Sequence, residues 1–419
     1  MGRREAGGAA ERLESVFGLE GRVLKIRKYR EEDQGTLAKL MVTAFGGSAT
    51  SAQRYFDPTQ NHRLDPDGVF VIEDDGEVRA TATVLPLEMF VDGEPRPMGG
   101  VAAVTAHPAY RRRGYAGELM RKILEDLRGR NVHLSMLWPF AHAFYRAYGY
   151  ELAGESLVYT FEPTDLPSSS EQKHTRASQH EDLPEMMALF ERQAARHQCC
   201  VRRSEEQWRG ERFWQDDEEG KSAVVYERGG GIEGYLLYQM SGWKEGWEPG
   251  RELQARELVA STPRAREALV SFMAALDPMA FEIKCATPRG EPLHPFLTNS
   301  YVKAEIEPEF MLRLVNVEGA LGYLSRETGS SLVLEVSDDG IPENAGEYTV
   351  GDGSVKRGAH SEHRVSLDAR QLAQLYAGYL SSGRLAEHGL IHPDSLEALE
   401  RLEAMFPAGD PWVFGPDHF

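Results

Sequence analysis

The stretch that most constrains this chain runs from Val101 to Leu127. Residues 101–106 are small and apolar, which predicts a buried strand. Pro108 ends it, because proline has no N–H to give to a sheet ladder. Arg111, Arg112, Gly114 and Ala116 follow in a short basic turn. Leu119, Met120, Ile123, Leu124 and Leu127 then recur at helical spacing, so the turn opens an amphipathic helix. A helix start presents N–H groups without partners and the positive end of the helix dipole. Phosphate groups bind there. Gly114 and Ala116 leave the backbone bare enough for a diphosphate to approach, and Arg111 and Arg112 add charge. A solvated basic turn capping a helix would need the same residues.

This strand, turn and helix resemble the pyrophosphate loop of the GNAT acetyltransferases, whose pattern is Gln/Arg-x-x-Gly-x-Gly/Ala. The resemblance extends back through Thr105, Ala106, His107 and Pro108. It implies that the backbone of Val104 and Ala106 holds the pantetheine of acetyl-CoA. It also implies that the stretch from Thr105 through Arg111, Arg112, Gly114, Tyr115 and Ala116 binds the cosubstrate. Downstream, Tyr145, Tyr148, Gly149 and Tyr150 resemble the end of the GNAT core, where a tyrosine lies near the CoA sulfur. Tyr145 is thus the expected general acid for the departing thiolate. Tyr148 and Tyr150 are expected to pack the helix on its sheet.

Residues 1–21 are expected to fray or form a loose helix. A strand at 23–29 precedes a helix over 31–45, which Gly46 and Gly47 stop. Residues 48–66 read as a polar loop. A hairpin turns at Asp75 and Gly76, and a further short strand spans 87–91 before the Asp92–Gly93 turn. Residues 163–176 read as a linker. Beyond it, a helix after Pro184, a helix over 204–214, a hairpin around Gly229–Gly231, a strand over 252–260, a helix over 263–276 and a strand over 281–285 repeat the order of the first domain. The second unit has no glycine in its turn at 261–266, so a phosphate grip of the same kind is absent. A third unit opens at Phe310, with Asp368 capping a helix over 369–380 and Pro393 starting a helix to Met405.

A GNAT start, a second unit without the loop, the run Met311–Leu321 and an aromatic C-terminus together resemble the Eis family of bacterial acetyltransferases. The resemblance covers nearly the whole chain. It implies a mixed α+β fold: a flexible start at 1–21, a catalytic GNAT domain at 22–162, a GNAT-like domain without a cofactor loop at 163–304, and a sterol carrier protein-like domain at 305–419. It implies a hexamer built from trimers. It also implies that the terminal carboxylate, here of Phe419, acts as the base. An α-carboxyl titrates near 3.5 in peptides and is ionised at neutral pH. Leaving Trp412, Phe414 and Phe419 in water would be unfavourable, so the tail is expected to dock.

Composition narrows the partners. The net charge of −19 disfavours nucleic acid and anionic membranes and suits a cationic substrate, though solubility alone explains it as well. Three cysteines without metal or disulfide spacing fit a reducing cytoplasm. No metal is expected. The resemblance implies acetyl transfer to a primary amine, with aminoglycosides among the substrates. Relatives acting on those carry a Ser-Glu-Gly-Gly-like run before the tyrosine, where this chain has residues 139–144 of different character. Protein-lysine acetylation, or a non-catalytic acyl-CoA or lipid-binding protein, are the alternatives.

Overall fold

A computed structural model describes residues 15–16, 24–210, 221–241, 251–276, 282–299, 301–324, 326, 329–351 and 353–419. The expectation for residues 1–21 therefore lies outside the described residues except for Ser15–Val16, a short strand. Of the helix expected over 204–214, Glu205–Gly210 is described. Within these residues the chain forms two compact units. One holds the chain up to Pro86 together with Gly100–Leu127, and the other holds Leu87–Gly99 and Arg128–Phe419.

In the first unit, the strands Leu24–Lys28, Val69–Asp74 and the start of Glu77–Val91 pair antiparallel, with Ile26 opposite Ile72 and Phe70 opposite Ala82. Leu37, Phe70, Ile72, Leu119 and Ile123 are fully buried. Residues 48–66 differ from the expected loop. Ser48 caps a helix at Ala49–Tyr55 by accepting the Ser51 N–H, and Ala52 and Phe56 anchor it inward. Polar composition hid that helix because only one face of so short an element needs to be apolar. The strand Glu77–Val91 runs unbroken through Pro86, which is exposed there. Proline is tolerated where its missing N–H faces solvent.

The second unit carries a seven-stranded sheet ordered Lys303–Pro308, Glu155–Phe161, Glu282–Pro288, Glu252–Ala260, Gly231–Met240, Lys221–Arg228, Thr175–Ala177. A five-stranded sheet is ordered Ser354–Arg357, Gly346–Gly351, Ser331–Ser337, Arg364–Asp368, Ile391–Pro393. Sheet membership does not follow the expected domain boundaries. Glu155–Phe161 pairs with Glu282–Pro288, and Met311–Leu314 pairs with Leu134–Leu137 and Glu151–Leu152. Residues 163–176 are no free linker: Leu166 is buried and Thr175–Ala177 joins the sheet. Pro393 ends a strand, and Ser395 caps the helix Leu396–Met405.

Gly149 shows why the tyrosine-rich segment needs a glycine. Its φ is +78°, and a Cβ there would meet Arg313 Cζ at 2.6 Å. Arg313 is itself buried and held by Asp338 at 2.6 Å. Gly149→Ala should lower unfolding stability by roughly 2–4 kcal/mol, from left-handed strain plus overpacking, read by urea denaturation.

Candidate active site

In the first unit, the helix Tyr115–Gly129 starts straight after the basic turn. The turn is built from two left-handed residues, Arg112 with φ +62° and Gly114 with φ +82°. Alternation of backbone handedness aims successive N–H groups to one side and makes an anion-binding concavity. Arg113 is folded away, stacked 4.5 Å over the Tyr110 ring, with Arg79 at 4.1 Å from the same ring. Arg111 and Arg112 remain exposed. Tyr115 is buried, and its hydroxyl donates to Asp74 at 2.5 Å. Its side chain therefore fixes the helix, and what it offers a ligand is a backbone N–H. Ala116 is half-buried. These residues fit a diphosphate.

Upstream, the strand Glu94–Ala106 is continuous but irregular. Ala103 has φ +50°, a value that side-chain-bearing residues rarely adopt. Burial loses its alternation there: Val101 and Ala102 are both buried, Ala103 is half-buried, then Val104 and Thr105 are both buried. Such an irregularity turns backbone groups out of the ladder. Sequence reasoning placed Val104, Thr105 and Ala106 at the cosubstrate and missed Ala103, because an alanine carries no signal of positive φ. Thr105 Oγ1 is buried and makes no hydrogen bond among the described residues.

In the second unit, Tyr145 sits on the short helix His142–Arg146. It is 2% exposed, with Phe140, Phe144 and Tyr150 rings 5.0–6.2 Å from its own. Burial, with a smaller contribution from Tyr150, pushes the phenol well above its ordinary range. It is therefore protonated at neutral pH, the state from which a proton donor must start. Tyr150 is fully buried and shares a 2.8 Å hydrogen bond with Ser135, which donates to Gly99 O. Burial first, eased by Ser135, pushes it up to about 12. Tyr148 is half-buried.

The C-terminus docks in this same unit. Trp412 and Phe414 enter a core cluster with Phe190, Trp208 and Tyr235. Asp417 is fully buried and accepts from Arg203 at 2.6 and 2.8 Å. Arg203 also donates to Glu257, which accepts from Tyr235. The guanidinium lies 4.0 Å from the Phe190 ring and 4.7 Å from Trp208. Burial works against the Arg203 charge, but Asp417 and Glu257 outweigh it and hold it well above its ordinary value. Burial raises Glu257, with Arg203 opposing. After Asp417, the Phe419 ring stands edge-on to Trp138 at 4.7 Å. Glu309 fixes Trp138, accepting its indole N–H at 3.2 Å and the Ser156 hydroxyl at 2.7 Å, while His418 Nε2 lies 3.3 Å away. Trp138, Glu309 and Arg203 are the residues sequence reasoning missed. Only distant pairings give them meaning. Among the histidines, His107 accepts the Ala109 N–H locally. No group of three metal-ligating side chains is found among the described residues.

Arg203→Leu strands Glu257 and Asp417 without their cation. It should cost about 3–5 kcal/mol and let carboxypeptidase trim Phe419 faster. Asp417→Asn keeps the Arg203–Glu257 pair and should cost about 1.5–3 kcal/mol. Equilibrium denaturation and timed digestion read both.

Comparison with known proteins matches three stretches of the chain. Residues 25–153 match an acetyltransferase (GNAT) domain, residues 199–314 a second acetyltransferase (GNAT) domain, and residues 317–414 a sterol carrier protein domain. An N-acetyltransferase of Streptomyces avermitilis is 24% identical over 94% of this chain and 99% of its own. The crystal structure of a GCN5-related N-acetyltransferase from Anabaena variabilis shares the fold, with TM-score 0.81 at 23% identity, covering 94% of this chain and all of that one. Eis1 from Mycobacterium abscessus gives TM-score 0.76 at 25% identity, covering 95% of this chain and all of that one. With two acetyltransferase folds followed by a sterol carrier protein-like fold, the chain belongs to the Eis-like GNAT N-acetyltransferases.

Proposed function

We propose that the chain moves an acetyl group from acetyl-CoA to a primary amine of a small cationic substrate, by direct attack. The turn with left-handed Arg112 and Gly114 carries this reading, because it is an anion cradle at a helix start with two free-standing arginines beside it. The 111–116 turn takes the diphosphate, the backbone of Val104 and Ala106 takes the pantetheine, and the Val104 N–H polarises the thioester carbonyl. Tyr145 gives its proton to the departing thiolate. The amine arrives as an ammonium with a pKa near 10, and deprotonating it at pH 7 takes about 4–5 kcal/mol. The Phe419 carboxylate accepts that proton, directly or through water. The docked tail supports this role, since a base must be held in place to act.

The acidic chain, at −19, favours cationic amines such as polyamines or aminoglycosides over neutral ones. Lysine side chains of a protein are the second reading, which the same chemistry serves. Three free, buried cysteines favour a reducing, cytoplasmic setting. No helix among the described residues is long and apolar enough to cross a membrane. The nearly bare edge strand Lys303–Pro308, with Ile306 64% and nearby Tyr301 97% exposed, favours a homo-oligomer of the hexameric kind.

CoA release from acetyl-CoA, followed across polyamines, aminoglycosides and lysine peptides, tests the reading. Turnover on one class is the expected result. No turnover across the panel, with acetyl-CoA bound, would favour a non-catalytic acyl-CoA-binding protein. Tyr145→Phe should lower kcat by about 10²–10⁴-fold with little change in KM for acetyl-CoA. Gly114→Val, forced into a left-handed backbone at the cradle, should raise that KM while sparing the thiolate step.

A further inference from the structure

The parallel strands Glu252–Ala260 and Glu282–Pro288 pair from Glu252 opposite Glu282 to Ala255 opposite Cys285. Both continue beyond that point without further pairing to each other among the described residues. Where they part, a cavity of about 850 Å³ opens beside the helix Pro263–Ala274. This volume lies within the range of small-molecule sites, about 300–1,000 Å³. Its wall is mainly apolar, with Phe161, Leu258, Val270, Leu293, Trp412 and Phe414, and Arg256, Glu257 and Glu267 line it as well.

The head of the helix is closed to phosphate. Pro263 brings no N–H, and Thr262 Oγ1 accepts the Ala265 N–H at 3.3 Å. On the rim, Arg266 and Glu291 neutralise each other at 3.1 Å.

We propose that this cavity is a second small-molecule site, for an apolar chain whose small polar head lies at the solvent-facing rim. A medium-chain fatty acid is the simplest member of that class. None of its lining residues is among those proposed to hold acetyl-CoA, and the sealed helix head disfavours a diphosphate. Its occupant touches Trp412 and Phe414, in the segment that leads to Phe419.

Dodecanoate is titrated into the full chain by calorimetry, below its micelle concentration. The expected result is saturable binding of one molecule per chain, unchanged by saturating acetyl-CoA. Val270→Trp and Ala286→Trp fill the cavity from the helix and from the strand. Both side chains are at least partly exposed, so a larger ring has room to be accepted. Each variant, with its circular dichroism checked, should bind at least tenfold more weakly. The absence of saturable binding, displacement by acetyl-CoA, or unaltered affinity in the folded variants would overturn the proposal.

Discussion

The second unit depends on a guanidinium buried between two carboxylates. Arg203, Glu257 and Asp417 have no exposed side-chain surface. Taking such charges out of water is unfavourable by several kcal/mol per ion unless every group is bonded. Here the fork of Arg203 serves both acids, Tyr235 bonds Glu257, and Phe190 and Trp208 face the guanidinium. The arrangement is stable only when the tail is docked, because Asp417 comes from the third residue from the end. Trp412, Phe414 and Asp417 are part of the core, and the Phe419 ring lies edge-on to Trp138.

The first unit uses local backbone strain instead. Ala103 and Arg112 both hold left-handed conformations without being glycine. Each departs from the favoured backbone by about 1–2 kcal/mol. Strain of this kind persists where the surroundings over-determine it, and it gathers at sites that bind or react. The two positions flank the stretch from Val104 to Arg111, within the segment proposed to hold acetyl-CoA.

Much of this was legible in the sequence. The helix after Tyr115 buries Leu119, Met120, Ile123, Leu124 and Leu127, the stripe read from spacing. The Asp92–Gly93 turn has both residues at positive φ, as its letters predict. The missing glycine in the second unit corresponds to a helix start sealed by Thr262 and Pro263. Other features were hidden for physical reasons. Arg203 is bonded to residues 54 and 214 positions away, a pairing that no local pattern records. Glu155–Phe161 reads as the end of one domain, yet its partner strands come from residues 282–288 and 303–308. Pro393 misled because proline both starts helices and ends strands, and Ser395 decided between them.

The proposed base is the carboxylate of Phe419, which takes the proton from the attacking amine. The direct measurement adds one glycine after Phe419. This keeps the benzyl ring and the Asp417 anchor and moves only the charge. If that carboxylate is the base, kcat falls by two orders of magnitude or more, with acetyl-CoA affinity and unfolding midpoint unchanged. An extended chain that turns over at the original rate would contradict it and assign the proton to another group.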